Sequence, residues 1–250
     1  MRNDLIGIGV ASDPIRVIES ILRFPNPEKI VSYTDRQTAR EYSFPSRVII
    51  DPEPSIRLIA DLISGELAAA VRGTLSSRIT LSALKKACMI PELERIVLLE
   101  TESGNRFFLA PVGVDEGWTL EQKISLLQKG KILAQKFGLS DHAGIVSGGR
   151  LSDIGRHPSV DRTLADGELV SRITGATHYE IRLEDAIRDC GIIIAPDGIS
   201  GNLIFRTVLF LGKGAAHGAP VVNIDKIFVD TSRVNPDYSN ALILAASMIV

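Results

Sequence analysis

The 250 residues carry 28 Lys and Arg against 30 Asp and Glu, a formal net charge of −2 with a pI near 6.1. That balance excludes a global basic field, and with it a sequence-independent grip on nucleic acid or on an anionic membrane surface. A hydrophobic content of 45% is enough for one large α/β domain, or two modest lobes sharing a cleft, to bury a core without covalent staples.

Along the chain, apolar runs alternate with amphipathic segments. Leu5 to Val10, Lys29 to Tyr33, Arg47 to Ile50 and Leu67 to Val71 read as short strands. Met1-Arg2-Asn3-Asp4 meets an apolar stretch of only six residues, too short for the core of a signal peptide. After it, Asp13-Pro14 supplies an N-cap and a proline at the first helical position, with Ile15, Ile18, Ile21 and Leu22 as the expected buried face. This rhythm implies a mostly parallel sheet covered on both faces. Near the midpoint it changes: Arg95 to Thr101 and Arg106 to Val112 are β-rich runs joined by Glu102-Ser103-Gly104-Asn105, a hairpin signal. A helix follows from Thr119 to Phe137, carrying Ile124, Leu127, Ile132 and Leu133 and closed by Gly138. The lobe boundary is therefore expected near Val112, with residues 1–112 in a first lobe and 113–215 in a second. Beyond it come a strand at Ala143 to Val146, a Gly-rich loop from Ser147 to Arg156, a helix from near Ser159, a strand at Gly191 to Ala195 and a helix beginning near Ser200. The apolar ending Ala241 to Val250 is too short to span a bilayer. Cys88 and Cys190 stand far apart, which fits two buried thiols in a reducing compartment, and the expected location is the cytoplasm.

Three places carry candidate chemistry. A buried strand running into the helix near Ser200 presents free N–H groups at a strand end, which favours an anion around Asp197, Gly201 and Asn202. The loop Ser147-Gly148-Gly149-Arg150 also follows a buried strand; either it wraps an anion with Arg150 and Arg156 supplying charge, or its glycines simply permit turns. Ser232 and Arg233 follow the strand-like run Ile227-Phe228-Val229 and can bring a hydroxyl and a guanidinium fork to the same rim. Together these residues suit a phosphate or carboxylate. Asp153, His157 and Asp161 are spaced by four, as helical metal ligands are, but Pro158 breaks the helix and no metal site is assigned. Gly7-Ile8-Gly9 lacks the third glycine of a dinucleotide fingerprint, and no glycine-rich motif for adenosylmethionine can be placed, so no cofactor is named.

The phrase Pro196-Asp197-Gly198-Ile199-Ser200-Gly201-Asn202, the run Leu211 to Pro220 and the ending Val229-Asp230-Thr231-Ser232-Arg233 resemble the C-terminal block of phosphate acetyl/butyryltransferases. Ile145-Val146-Ser147, Asp166-Gly167-Glu168-Leu169 and Ala69-Ala70-Val71-Arg72-Gly73 fall where that superfamily has counterparts. Within it, Ser147 to Arg156 and Lys213 to Asn223 are more similar to a shorter branch, the methanogenesis marker protein 4 family of methanogenic archaea, also called methyltransferase Mtx subunit X.

The resemblance implies a phosphotransacylase-like fold, akin to isocitrate and isopropylmalate dehydrogenases, with two α/β lobes around a central cleft. It implies that residues 216–250 return to the first lobe, and that the protein is a homodimer. Ser232 and Arg233 match the serine and arginine that phosphotransacylases use near the reacting acyl phosphate. The acidic residue that follows them in those enzymes is matched here by Ser239, leaving Asp237, two residues earlier, as the substitute. The arginine of the first-lobe Ser/Thr-rich loop is matched by Ala83, leaving Arg72 or Arg78 to replace it. The function implied is methyl transfer associated with methanogenesis, on a phosphorylated or carboxylated small molecule. The alternatives are a non-catalytic metabolite- or partner-binding subunit of a methyl-transfer complex, and a residual phosphate acyltransferase.

Overall fold

The computed structural model describes residues 4–249; Met1-Arg2-Asn3, part of the N-terminal stretch read above, and Val250 lie outside the described residues. The chain divides into two compact units, one made of Met1–Leu93 with His217–Val250 and the other of Glu94–Ala216.

The first unit opens with β1 (Ile6–Gly9), α1 (Pro14–Arg23), β2 (Ile30–Thr34), α2 (Arg36–Glu41), β3 (Arg47–Ile50), α3 (Pro54–Ser64), β4 (Ala69–Val71) and α4 (Ser77–Cys88). In the second unit come β5 (Val97–Glu100), β6 (Arg106–Ala110), α5 (Leu120–Lys136), β7 (Ala143–Ile145), α6 (Pro158–Thr174), β8 (Thr177–His178), α7 (Leu183–Asp189), β9 (Ile192–Ile194), α8 (Gly198–Arg206) and β10 (Ala215–Ala216). The returning segment supplies β11 (Ala219–Pro220), β12 (Ile227–Asp230) and α9 (Ser239–Met248) to the first unit.

The first sheet has the order β11-β12-β4-β1-β2-β3, and all its pairings are parallel except β11 with β12. Every residue of β1, β2 and β4 is buried, and alternate side chains point to opposite faces, so helices must cover both sides. Helix α3 packs on β1, β2 and β4, while α9 packs on β12, β4 and β1 beside α1. The strand order reverses between β1 and β4, because the chain lays β2 and β3 on one side of β1 and then crosses to the other.

Helix α1 buries Val17, Ser20 and Ile21, whereas Ile15 and Leu22 are exposed. The inner face is therefore rotated from the one the apolar residues suggest. Its centre is polar: the Ser20 hydroxyl donates to the Arg16 carbonyl at 2.7 Å and accepts the Tyr238 N–H at 2.9 Å, which makes a serine stable inside. Asp13 precedes the helix as expected, but its side chain makes no cap bond and pairs instead with Arg16.

The second sheet runs β10-β5-β6-β9-β7-β8, with β6, β9, β7 and β8 parallel and the β5–β6 hairpin and β10 antiparallel. Because β6 pairs with β9, the hairpin belongs to this unit, and the division falls between Leu93 and Glu94 rather than near Val112. Helix α5 is capped by a reciprocal Thr119–Gln122 box, buries Leu126, Leu127 and Leu133, and leaves Ile132 exposed. After β8 the chain crosses back to place β9 between β6 and β7, so here the order reverses at the β7–β9 boundary.

Candidate functional site

In the first unit, the carboxyl ends of β4 and β12 are tied together by Arg72, and that of β1 is joined to them through Thr74. The Arg72 side chain is 5% exposed; Nε donates to the Asp230 carboxylate, Nη2 to the Thr231 carbonyl and Nη1 to the Leu75 carbonyl at 2.9 Å. The Thr231 hydroxyl donates to the Gly73 carbonyl at 3.0 Å, and the Thr74 hydroxyl accepts the Ala11 N–H at 2.8 Å. Gly73 sits at φ 59°, and a Cβ there would lie 2.0 Å from the Gly9 carbonyl oxygen, so the turn after β4 requires glycine. Arg72 thus spends its donors on the protein and acts by positioning the segment that leads to Ser232.

Beyond that clamp, residues 232–235 form a turn in which the Ser232 carbonyl accepts the Asn235 N–H at 3.1 Å and the Tyr238 hydroxyl at 3.0 Å. Arg16 donates to the Asn235 carbonyl at 3.1 Å, fixing the turn from α1. Arg233 is exposed on this turn, with no hydrogen bond or ion pair among the described residues. Asp237 is half-buried at the start of α9: its carboxylate accepts the Ser239 N–H at 2.8 Å and meets Arg23 at 3.2 Å. Burial pushes this carboxyl up, but the Ser239 N–H and hydroxyl, Ser20 and Arg23 outweigh it and hold it below the usual carboxylate range. A carboxylate held down in this way is a weak base. Arg78 lies on another face, exposed on α4 along a groove between α3 and α4. Nothing in the sequence pattern signalled Arg16, Tyr238 or Asn235, because their role depends on α1 and α9 lying side by side.

In the second unit, the two glycine-containing motifs come together at the strand-order reversal, since the Ser147 loop follows β7, α8 follows β9, and these strands are paired. Helix α8 begins at Gly198, two residues before the expected start, with Asp197 as its N-cap. Consequently the Asp197 carboxylate accepts the Ser200 N–H at 2.8 Å, the Glu116 carbonyl takes the Gly198 N–H at 3.0 Å, and the Gly201 N–H is already intrahelical, bonding to the Asp197 carbonyl at 3.0 Å. An anion approaching this helix end meets a carboxylate. Gly201 instead allows close packing, its Cβ position being 1.8 Å from the Pro111 carbonyl oxygen, and the Asn202 amide donates to the Val112 carbonyl at 3.1 Å.

The loop after β7 is likewise internally bonded. Gly148 N–H donates to the Thr163 hydroxyl at 2.9 Å, and Arg150 N–H donates to the Asp153 carboxylate at 2.9 Å. That bond, together with Arg156, holds the Asp153 carboxyl below its usual range. Asp161 accepts the Gly155 N–H at 2.8 Å and His157 Nδ1 the Ser159 N–H at 3.1 Å, so the residues at metal-like spacing act as caps. Gly149 and Ser147 are buried while Gly148 and the Arg150 side chain are exposed. Ser147 Oγ lies 3.0 Å from His178 Nε2, and His178 Nδ1 lies 2.8 Å from Glu168 Oε1. Of these, His178 escaped the sequence reading; its one signal is a lone histidine at the end of a short strand-like run.

No family model matches the sequence. The chain is 46% identical over 206 residues to a protein of Methanosarcina mazei named "Putative methyltransferase mtx subunit X", covering 80% of this chain and 74% of that one. A protein of the same name from Methanosarcina acetivorans is 40% identical over 255 residues, covering 99% of this chain and 91% of its own length. Among solved structures, a branched-chain phosphotransacylase from Enterococcus faecalis superposes with a TM-score of 0.69 at 16% identity, covering 98% of both chains. At that identity the match shows the fold alone: a mixed α/β architecture with two parallel-rich sheets.

Proposed function

This chain belongs to the mtx subunit X family, and we propose that it is a transferase subunit that binds an anionic small molecule in the course of methyl transfer. The observation that carries the reading is Arg233, an exposed guanidinium with no hydrogen bond or ion pair among the described residues, on a turn that Arg72, Tyr238 and Arg16 hold at the carboxyl end of β12. In parallel α/β sheets ligands collect outside the carboxyl ends of the strands, and an arginine there matches a phosphate or carboxylate with two parallel donors. Ser232 adds a hydroxyl beside it. The ligand is therefore a phosphorylated or carboxylated donor or acceptor, and methyl transfer follows the name of the relatives. The association with methanogenesis follows their source, and the homodimer follows the resemblance to phosphotransacylases.

Calorimetric titration with inorganic phosphate tests the anion site. Arg233→Ala should weaken binding by roughly 1.5–3 kcal/mol, the scale of hydrogen bonds to charged groups. Equal affinity in a folded variant would remove Arg233 from the site.

A second reading, a partner-binding subunit, is favoured by the groove of about 910 Å³ between α3 and α4, lined by Ile56, Ile59, Ile63, Ile79, Ala83 and Lys86. Arg78 and Lys86 border this apolar floor without ion pairs among the described residues, which suits an amphipathic helix with acidic flanks. Ile79→Glu should abolish retention of a purified methyl-transfer partner subunit while leaving phosphate binding intact. Retention unchanged by that substitution would dismiss this reading.

A further inference from the structure

Ser147, His178 and Glu168 form a hydrogen-bonded chain that the anion site at Arg233 does not use. They come from three separate elements, the loop after β7, the end of β8 and the middle of α6. The His178 side chain is 4% exposed, Ser147 is 4% exposed, and the Glu168 side chain is 42% exposed. Gly167 on α6 lets the imidazole lie against the helix, since a Cβ there would come within 2.6 Å of Nε2. The ring is thus held by packing as well as by its two bonds.

The proton arrangement follows from the donor inventory. A Glu168 carboxylate can only accept, so it selects the tautomer with the proton on Nδ1. That leaves the Nε2 lone pair facing Ser147 Oγ at 3.0 Å. The hydroxyl has a second acceptor in the Gly149 carbonyl at 3.1 Å, but only the imidazole can carry its proton away. The Gly149 N–H has no partner among the described residues. Ser147 also stands at the carboxyl end of β7, where the strand order of this sheet reverses, next to the exposed Gly148, a position at which open α/β sheets take their ligands.

We propose that Ser147 is a nucleophile for acyl transfer, with His178 as its base and Glu168 as the carboxylate that orients the base, and that the substrate class is a small acyl ester or thioester with an anionic tail for Arg150. Ser147 Oγ attacks the carbonyl carbon, forming the new C–O bond, while its proton passes to His178 Nε2. The Gly149 N–H is the donor at hand for the oxyanion. Collapse breaks the bond to the leaving thiolate or alkoxide, which takes the proton back from Nε2. Water, deprotonated by His178, then cleaves the acyl-serine to a carboxylic acid and free Ser147. This activity is independent of the methyl-transfer reading, and either can fail alone.

The test uses the full chain and p-nitrophenyl acetate. The expected result is a nitrophenolate burst stoichiometric with protein, one acetyl group on the peptide carrying Ser147, and both blocked by a fluorophosphonate. Ser147→Ala should abolish the burst, and His178→Gln should slow it by about 100-fold or more, the lower end for general-base catalysis. Glu168→Gln, at the exposed end, should keep the melting temperature and lose rate, with Glu168→Asp restoring part of it. Acetylation that survives Ser147→Ala, no burst in the wild type, or an undiminished rate in folded Glu168→Gln would each overturn the assignment; if Ser147→Ala fails to fold, the Glu168 pair decides.

Discussion

Arg72 shows how one residue can look like a ligand contact and serve as a clamp. Its guanidinium is nine-tenths or more buried against Asp230 and two carbonyls, so removing it leaves a buried carboxylate without its cation, although the Thr231 N–H still donates to it at 2.9 Å. Arg72→Met should therefore cost about 3–5 kcal/mol in urea unfolding, the scale for breaking a buried ion pair from one side. An unfolding midpoint close to wild type would mean that Asp230 finds water or another donor. Asp237 makes a pH prediction of the opposite kind. Its folded value lies below the unfolded value of 3.8, so it contributes stability that is fully present above that value and is lost as pH falls through the lower folded value. Asp237→Asn should flatten the acid limb of the stability profile below about pH 4, where carboxylates with unperturbed values near 3.9 take up protons, and leave the neutral-to-alkaline shape unchanged. Chemical denaturation across the acid range checks it; parallel acid limbs would show that the carboxylate is not what titrates.

At the scale of elements, α8 is set by what it packs against. Asp197 takes the Ser200 N–H and the Glu116 carbonyl takes the Gly198 N–H of its first turn, and Gly201 brings its backbone onto Pro111. Gly201→Ala puts a methyl group 1.8 Å from the Pro111 oxygen and must push the helix away. A loss of about 1–3 kcal/mol, the range for overpacking, is expected in a thermal melt, with the Asn202 bond to Val112 weakened as well. An unchanged melting temperature would show that the loop after β6 yields freely. The α5–α6 pair behaves differently: Lys123 and Asp166 meet at 3.1 Å with both side chains about nine-tenths buried, and Arg162 reaches the other carboxylate oxygen at 3.1 Å. This explains why the Asp166-Gly167 pair of the Asp166-Gly167-Glu168 run is buried in the helix while Glu168 stays half-exposed beside it: the aspartate pairs with Lys123, the glycine admits the His178 ring, and the glutamate bonds it.

At the scale of the whole molecule, the chain has the phosphotransacylase fold, while the sequence resemblance aligns Ser239 and Ala83 with groups that acyl-phosphate chemistry uses. Attack by the coenzyme A thiol requires a group to take its proton, because the thiolate is the nucleophile. Ser239 stands where an acid is expected and has its N–H tied to Asp237, whose depressed carboxyl is committed to the start of α9. Purified protein should convert acetyl phosphate and coenzyme A at no more than a trace rate, and Ser239→Asp alone should not restore turnover, in a coupled thiol assay. Robust wild-type acetyl transfer abolished by Ser232→Ala would reverse this conclusion and make the protein a phosphate acyltransferase.

Sequence by itself determined the parallel-rich α/β class and the hairpin and long helix at its centre, because alternating apolar runs, the Gly104 hairpin turn and the apolar spacing closed by Gly138 are local signals with local causes. It also carried the family, to whose proteins the chain is 46% identical over 206 residues and 40% over 255. Tertiary structure decided which way each face and donor points. Ser20 and not Ile15 lies inside α1 because Tyr238, 218 residues away, supplies its partner. The hairpin joins the second sheet because β9, more than eighty residues downstream, pairs with β6. Arg72 becomes a clamp only when β12 returns beside β4, and Ser147, His178 and Glu168 meet only when β8 is laid beside β7. Local periodicity records which residues can be buried, whereas partners far along the chain fix which hydrogen bonds remain for a ligand.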